Sequence, residues 1–175
     1  TSAVTSPARA AQSTIADHSV YDPSANSWSE RAPLPRSEGS PAAVVYRGHI
    51  YAIGGRSGPS DFGESYIYDA EHDSWSAGPP IEPRGTAGVA VYCGAIHIFG
   101  GESQAKESTL SSVIALDTTH GTWRELPPMP TARNYARAAV LGDDVYVIGG
   151  SPGYGNSHAS SGSSIVERLR ESCPR

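Results

Sequence analysis

A chain of 175 residues can hold one domain with a substantial core, and its 19 glycines and 14 prolines beside 38% hydrophobic residues favour short strands and turns over helices. The net charge of −5, with Lys106 the one lysine, argues against a basic nucleic-acid face and against a polybasic membrane tract. Cys93 and Cys173 are too few for a disulfide framework, lack zinc-ligand spacing and read as incidental thiols, so neither cofactor nor metal is expected. No apolar run reaches membrane-spanning length, and no basic-then-apolar leader opens the sequence, which favours the cytoplasm.

Taken in order, residues 1–17 are rich in Ser, Thr and Ala without a pattern and are expected to form a poorly ordered arm. Residues 18–35 carry the first legible unit, an outer hairpin built on Ser19-Val-Tyr-Asp22 and Trp28. The same arrangement returns at Asp69 with Trp75 and at Asp117 with Trp123, the Asp always six residues before the Trp. The Asp suits an Asx-turn, and Asn26, Asp73 or Gly121 suits the left-handed position that a compact hairpin needs. The Trp opens the second strand, where its large face can pack on a neighbouring layer.

A proline-rich link follows each Trp, across residues 32–36, 78–84 and 126–133, and breaks the ladder between one sheet and the next. Small-residue runs then appear at 42–46, 88–92 and 138–141. Two-residue turns join them to His49-Ile-Tyr-Ala-Ile-Gly-Gly55, Ala95-Ile-His-Ile-Phe-Gly-Gly101 and Asp144-Val-Tyr-Val-Ile-Gly-Gly150. The glycine pairs begin at 54, 100 and 149, which sets a repeat of 46 to 49 residues. Each unit therefore predicts four strands in the order small-residue, Gly-Gly, Asp and Trp strand, the make-up of a propeller blade.

Four features in phase over three repeats resemble the kelch repeat: Arg36, Arg84 and Arg133 before the inner strand, the glycine pairs, then Asp22, Asp69 and Asp117, then Trp28, Trp75 and Trp123. The resemblance covers residues 18 to about 169 and implies an all-β, kelch-type β-propeller of four-stranded antiparallel blades. Full blades are expected at 36–77 and 84–125, and a blade lacking its outer strand at 133–169, followed by a tail at 170–175. That makes an incomplete ring of about three and a quarter blades, against the roughly four to eight that close a propeller. Two explanations stand: a fragment of a longer propeller, or two copies covering each other's open ends as a homodimer.

Antiparallel order puts the proline links and the loops after each glycine pair on one face, termed the upper face. That face is expected to collect Arg36, Arg84 and Arg133, with Arg56, Glu102, Arg137 and Tyr154 as further binding candidates. The three arginines either form a guanidinium ring facing an acidic partner or tie their own loops to carbonyls and carboxylates. On the first reading, replacing Arg84 and Arg133 together with alanine weakens binding and leaves stability nearly unchanged; strong destabilisation would mark them as structural. The glycine pairs lack the helix and the Lys-Ser/Thr of a phosphate loop and read as sites of tight backbone packing.

Six histidines are scattered, at 18, 49, 72, 97, 120 and 158; His72 and His120 fall in related turns, with no recurring carboxylate partner expected and no metal site. The resemblance to kelch proteins implies a surface for binding a protein or peptide partner, read as non-catalytic recognition; charge and composition give no reason to expect nucleic acid or membrane. A carbohydrate-binding or mutarotase-like sugar-active propeller using Arg84, Arg133 and Glu102 is the alternative, and a truncated remnant without function the second. A galactose-oxidase-like copper site is not assembled, since Cys93 lies in a hairpin turn.

Overall fold

The computed structural model describes residues 14–170 and residue 173; most of the N-terminal arm and of the tail therefore lies outside the described residues. Strands β1 (His18–Asp22) and β2 (Ser27–Arg31) form a hairpin. Strands β3 (Ala42–Tyr46) and β4 (His49–Ile53) follow, then a short pair β5 (Arg56–Ser57) and β6 (Ser60–Asp61), then β7 (Ser65–Asp69) and β8 (Ser74–Gly78). The next unit repeats this with β9 (Gly88–Tyr92), β10 (Ala95–Phe99), β11 (Glu102–Ser103), β12 (Ser108–Thr109), β13 (Val113–Asp117) and β14 (Thr122–Leu126). Last come β15 (Arg137–Leu141), β16 (Asp144–Ile148), a 3-10 turn at Gly155–Ser160 and β17 (Val166–Leu169). The sheets run β3-β4-β7-β8, β9-β10-β13-β14 and β15-β16-β17, all antiparallel.

The hairpins follow from turn chemistry. Asn26, Asp73 and Gly121 take the left-handed conformation, with φ of 48°, 47° and 65°. Asp22 Oδ1 accepts from the amides of Ser24 and Ala25, and Asp69 and Asp117 repeat this with the residues two and three ahead. In the last two turns the second carboxylate oxygen then faces the side chain three residues on: Nδ1 of His72 lies 2.7 Å from Asp69, and that of His120 2.6 Å from Asp117. A carboxylate pairing thus does recur with these histidines, contrary to the sequence reading. It lowers both Asp pKa values, chiefly through the histidine contact.

Two apolar layers hold the sheets side by side. One joins Ala42, Tyr46 and Ile53 to Ile96, Ile98, Ile114 and Leu116; the other joins Ala90, Tyr92, Phe99 and Val113 to Val145 and Val147. Strand alternation puts Ile96 and Ile98 on one face of the middle sheet and Phe99 and Tyr92 on the other, so this sheet is buried on both sides. Tyrosines lock the lower ends: Tyr46 donates to the Gly94 carbonyl at 2.6 Å and Tyr92 to that of Asp143 at 2.6 Å. At the outer ends the indoles do the same work, Trp75 donating to Ala32 O at 2.8 Å and Trp123 to Pro79 O at 3.1 Å.

Trp28 is 71% exposed by contrast. Trp123→Phe, which loses a partly buried hydrogen bond and some area, should therefore cost about 1 kcal/mol. Trp28→Phe should cost nothing measurable; urea unfolding of the two variants is the check.

The glycine pairs serve close approach. Gly100 has φ of 58°, and a Cβ there would stand 2.5 Å from the Arg133 carbonyl oxygen, which itself accepts from Gly101 N at 3.0 Å. The proline link leaving each sheet thus lies directly on that sheet's glycine pair. Cys93 and Cys173 form a disulfide with Cα atoms 4.9 Å apart, which corrects their reading as incidental thiols. Beyond β17, Arg170 makes a bidentate bond to Asp144 at 2.7 and 2.8 Å, and Cys173 is held at the β9–β10 turn by its bond to Cys93.

Candidate functional site

Equivalent positions on the upper face are fixed by three isolated bridges: Gly39 with Arg56, Gly85 with Glu102, and Asn134 with Ser151. The residues just before them are Glu38, Arg84 and Arg133, so Glu38, not Arg36, occupies the repeat position of the other two arginines. Ser40, Thr86 and Tyr135 next share a left-handed backbone, with φ of 56°, 61° and 53°. Thr86 N donates to Ser40 O and Tyr135 N to Thr86 O, which links successive blades by backbone hydrogen bonds near their inner ends.

The predicted arginines separate into different environments. Arg84 is 3% exposed and donates to the Gly100 carbonyl and Ser112 Oγ, with Glu82 at 3.4 Å; its burial lowers its pKa. Arg133 is fully buried and donates to the carbonyls of Gly149, Val147 and Ile165 and to Glu167 at 2.6 Å. Both sit inside their blades, tying the Gly-Gly strand to the strand beside it.

Arg36 stays near the surface, bidentate to Glu64 at 2.8 Å on both nitrogens and 3.5 Å above the Phe62 ring. The Arg36 contact holds the Glu64 pKa down at about 2 and raises that of Arg36. Arg137 is exposed at the start of β15, on the side of the last sheet away from the rest of the arc.

Arg56, Glu102 and Tyr154 do converge. Arg56 lies across Gly85, where a Cβ would stand 3.1 Å from its Cδ, and it ion-pairs with the fully buried Glu102. Its Nη2 donates to the Tyr135 hydroxyl at 2.9 Å. Glu102 also accepts from Asn134 Nδ2 at 2.7 Å, and Asn134 donates in turn to the Gly153 carbonyl. Tyr154 donates to Gln104 Oε1 at 2.8 Å, while the Gln104 amide donates to Asp61, a carboxyl whose pKa burial pushes up.

The three loops after the glycine pairs are therefore stitched into one floor across three blades. Sequence reasoning missed Glu38, Tyr135, Asn134 and Gln104; the first was open to counting, the others come together only through the ring geometry. Chemically, three upper-face cations are met by carboxylates: Arg36 by Glu64, Arg56 by Glu102 and Lys106 by Glu82 at 2.6 Å. The floor is rigid, aromatic-bearing and close to neutral, an arrangement suited to contact with another surface. Among the described residues no three His, Cys, Asp or Glu side chains group to hold a metal ion.

An arc of four-stranded antiparallel blades with inter-blade indoles and a loop-built upper floor defines a β-propeller domain of repeat type. The KLHDC2/KLHL20/DRC7 Kelch-repeats domain matches residues 8–152, and the chain belongs to the kelch-repeat family. It is similar to Kelch-like protein terF of Aspergillus terreus, 28% identical over 154 residues that make up 81% of this chain and 33% of that protein. Kelch-like protein 25 of Xenopus tropicalis is 33% identical over 133 residues, 74% of this chain and 22% of the relative. Kelch-like protein 36 of Bos taurus is 30% identical over 133 residues, 75% and 21%. The chain thus spans between a fifth and a third of the length of these relatives.

Proposed function

We propose that this chain is a non-catalytic module that recognises a protein or peptide partner on its upper face. The observation that carries the reading is the stitched floor, in which Tyr135 and Tyr154 are held by Arg56 and Gln104 over a buried Glu102. Aromatic side chains fixed in advance lose little conformational freedom on binding, which is how a small rigid surface gains affinity. Glu64, Glu102 and Glu82 on this face are each engaged by a cation, an arrangement that favours recognition over turnover. Because those cations are already neutralised, partner choice rests on aromatic and hydrogen-bonding contacts rather than on acidity.

The test is selection from a displayed peptide library on the immobilised chain, followed by titration of the enriched peptides. Tyr135→Ala and Tyr154→Ala should each weaken binding at least tenfold with the melting curve unchanged, and His72→Ala on the lower face should not alter it. Enrichment that survives both tyrosine replacements, or that His72→Ala abolishes, rejects the upper face as the site.

A further inference from the structure

The outer edge of the last sheet is a second specific surface. Strand β17 pairs with β16 on one side, and among the described residues no strand pairs with its other side. In the two four-stranded sheets that place is taken by β8 and β14, whose Trp75 and Trp123 stand opposite Tyr68 and Leu116. Each indole donates to the carbonyl of the fourth residue after the preceding tryptophan, Ala32 after Trp28 and Pro79 after Trp75. The same count from Trp123 gives Pro127, and the register of β17 on β16 puts Leu169 where Tyr68 and Leu116 stand. Pro127 and Leu169 line one open, mainly apolar groove with Phe99, Val113, Met129 and Val147. That groove continues the core between the middle and last sheets, to which the last four residues belong.

We propose that the groove and the bare edge of β17 dock an extended segment of a partner polypeptide. It adds antiparallel to β17 as a fourth strand, with a tryptophan in the groove donating its indole N–H to the Pro127 carbonyl. Charge fixes a second feature of the partner. The other face of β17 presents Arg168 and continues to Arg170, both about 60% exposed in their side chains and sharing the single carboxylate of Asp144. In the middle sheet the residue after Trp123 stands opposite Ala115, the counterpart of Arg168, so the partner residue after the tryptophan is acidic. Glu167 makes no rival demand, because Arg133 already holds it. The described chain does not occupy the edge itself, since the disulfide draws Cys173 inward to Cys93.

This site is separate from the upper face, and its test is independent of it. A fluorescein-labelled ten-residue peptide with tryptophan and then glutamate at its centre is titrated with the full chain and followed by anisotropy. Saturable binding is expected, at least tenfold weaker when the peptide's tryptophan is alanine. Arg168→Glu should weaken binding about tenfold, and a peptide with lysine in place of the glutamate should restore it. Equal affinity of the alanine peptide, absence of saturation, or failure of the charge swap to restore binding overturns the proposal. So does a dimer in sedimentation that Arg168→Glu dissociates while no peptide binds, which would assign the edge to a second copy.

Discussion

Replacing Arg133 with alanine is expected to lower the free energy of unfolding by about 3–5 kcal/mol, the usual cost of leaving a buried ion pair with one partner. The side chain is completely buried, and its guanidinium donates to Ile165 O at 2.8 Å, Gly149 O at 3.2 Å, Val147 O at 3.3 Å and Glu167 at 2.6 Å. Truncation strands three carbonyls and a largely buried carboxylate at once. Lysine is no substitute, because one ammonium cannot reach acceptors spread over two strands. The readout is the urea midpoint at unchanged slope, which reports stability and not a change of unfolded-state compactness.

Arg84→Ala should cost less, since its carboxylate partner Glu82 is half exposed. Arg36→Ala should cost no more than about 1 kcal/mol, because its pair with Glu64 is open to water. This ordering reverses the expectation that the double replacement of Arg84 and Arg133 leaves stability unchanged. A double variant within about 0.5 kcal/mol of the native chain, the range of ordinary surface substitutions, would return both side chains to the rim.

The blades were legible because their signals are local. A two-residue turn between alternating runs, an Asp that caps its own turn and a proline after each Trp strand specify hairpins without reference to the rest of the chain. The arginine register was legible too, by a count: Glu38, Arg84 and Arg133 each lie sixteen residues before a glycine pair, whereas Arg36 lies eighteen before. The shared spelling of proline closely followed by arginine (Pro35-Arg36, Pro83-Arg84, Pro130-Thr-Ala-Arg133) points to side-chain identity where backbone phase decides position.

Other features depend on how neighbouring blades sit side by side and leave no local trace. The Cys93–Cys173 bond spans 80 residues and ends in a tail without periodicity. The Asp61–Gln104–Tyr154 chain joins three loops of unlike length, each lacking a motif of its own. The short β5–β6 and β11–β12 pairs within those loops were likewise unanticipated, being only two residues a strand.

Glu38 is expected to make the protein lose stability as the pH rises from about 4.5 to 7. Its side chain is fully buried where the other two blades hold an arginine, and neither oxygen accepts a hydrogen bond from the described residues. Burial pushes its pKa up to about 7, opposed by Arg36 4.0 Å away and reinforced by the charge of Glu64. A carboxyl raised in the folded state binds a proton there that the unfolded chain has already released between these pH values. Folding is thus favoured at the lower end, and the contribution is lost by pH 7.

At 1.36 kcal/mol per pH unit, discounted for water at the nearby face, the effect is on the order of 2 kcal/mol. Glu38→Gln keeps the shape without the charge, so its stability should be flat over this window and exceed that of the native chain at pH 8. Glu64 cannot mimic the trend, since its pKa is lowered to about 2 and its contribution is lost only as pH falls below the ordinary carboxylate range. Urea midpoints from pH 5 to 8 for the two proteins decide the matter: parallel curves would mean that Glu38 stays ionised in the folded chain, its charge met by Arg36.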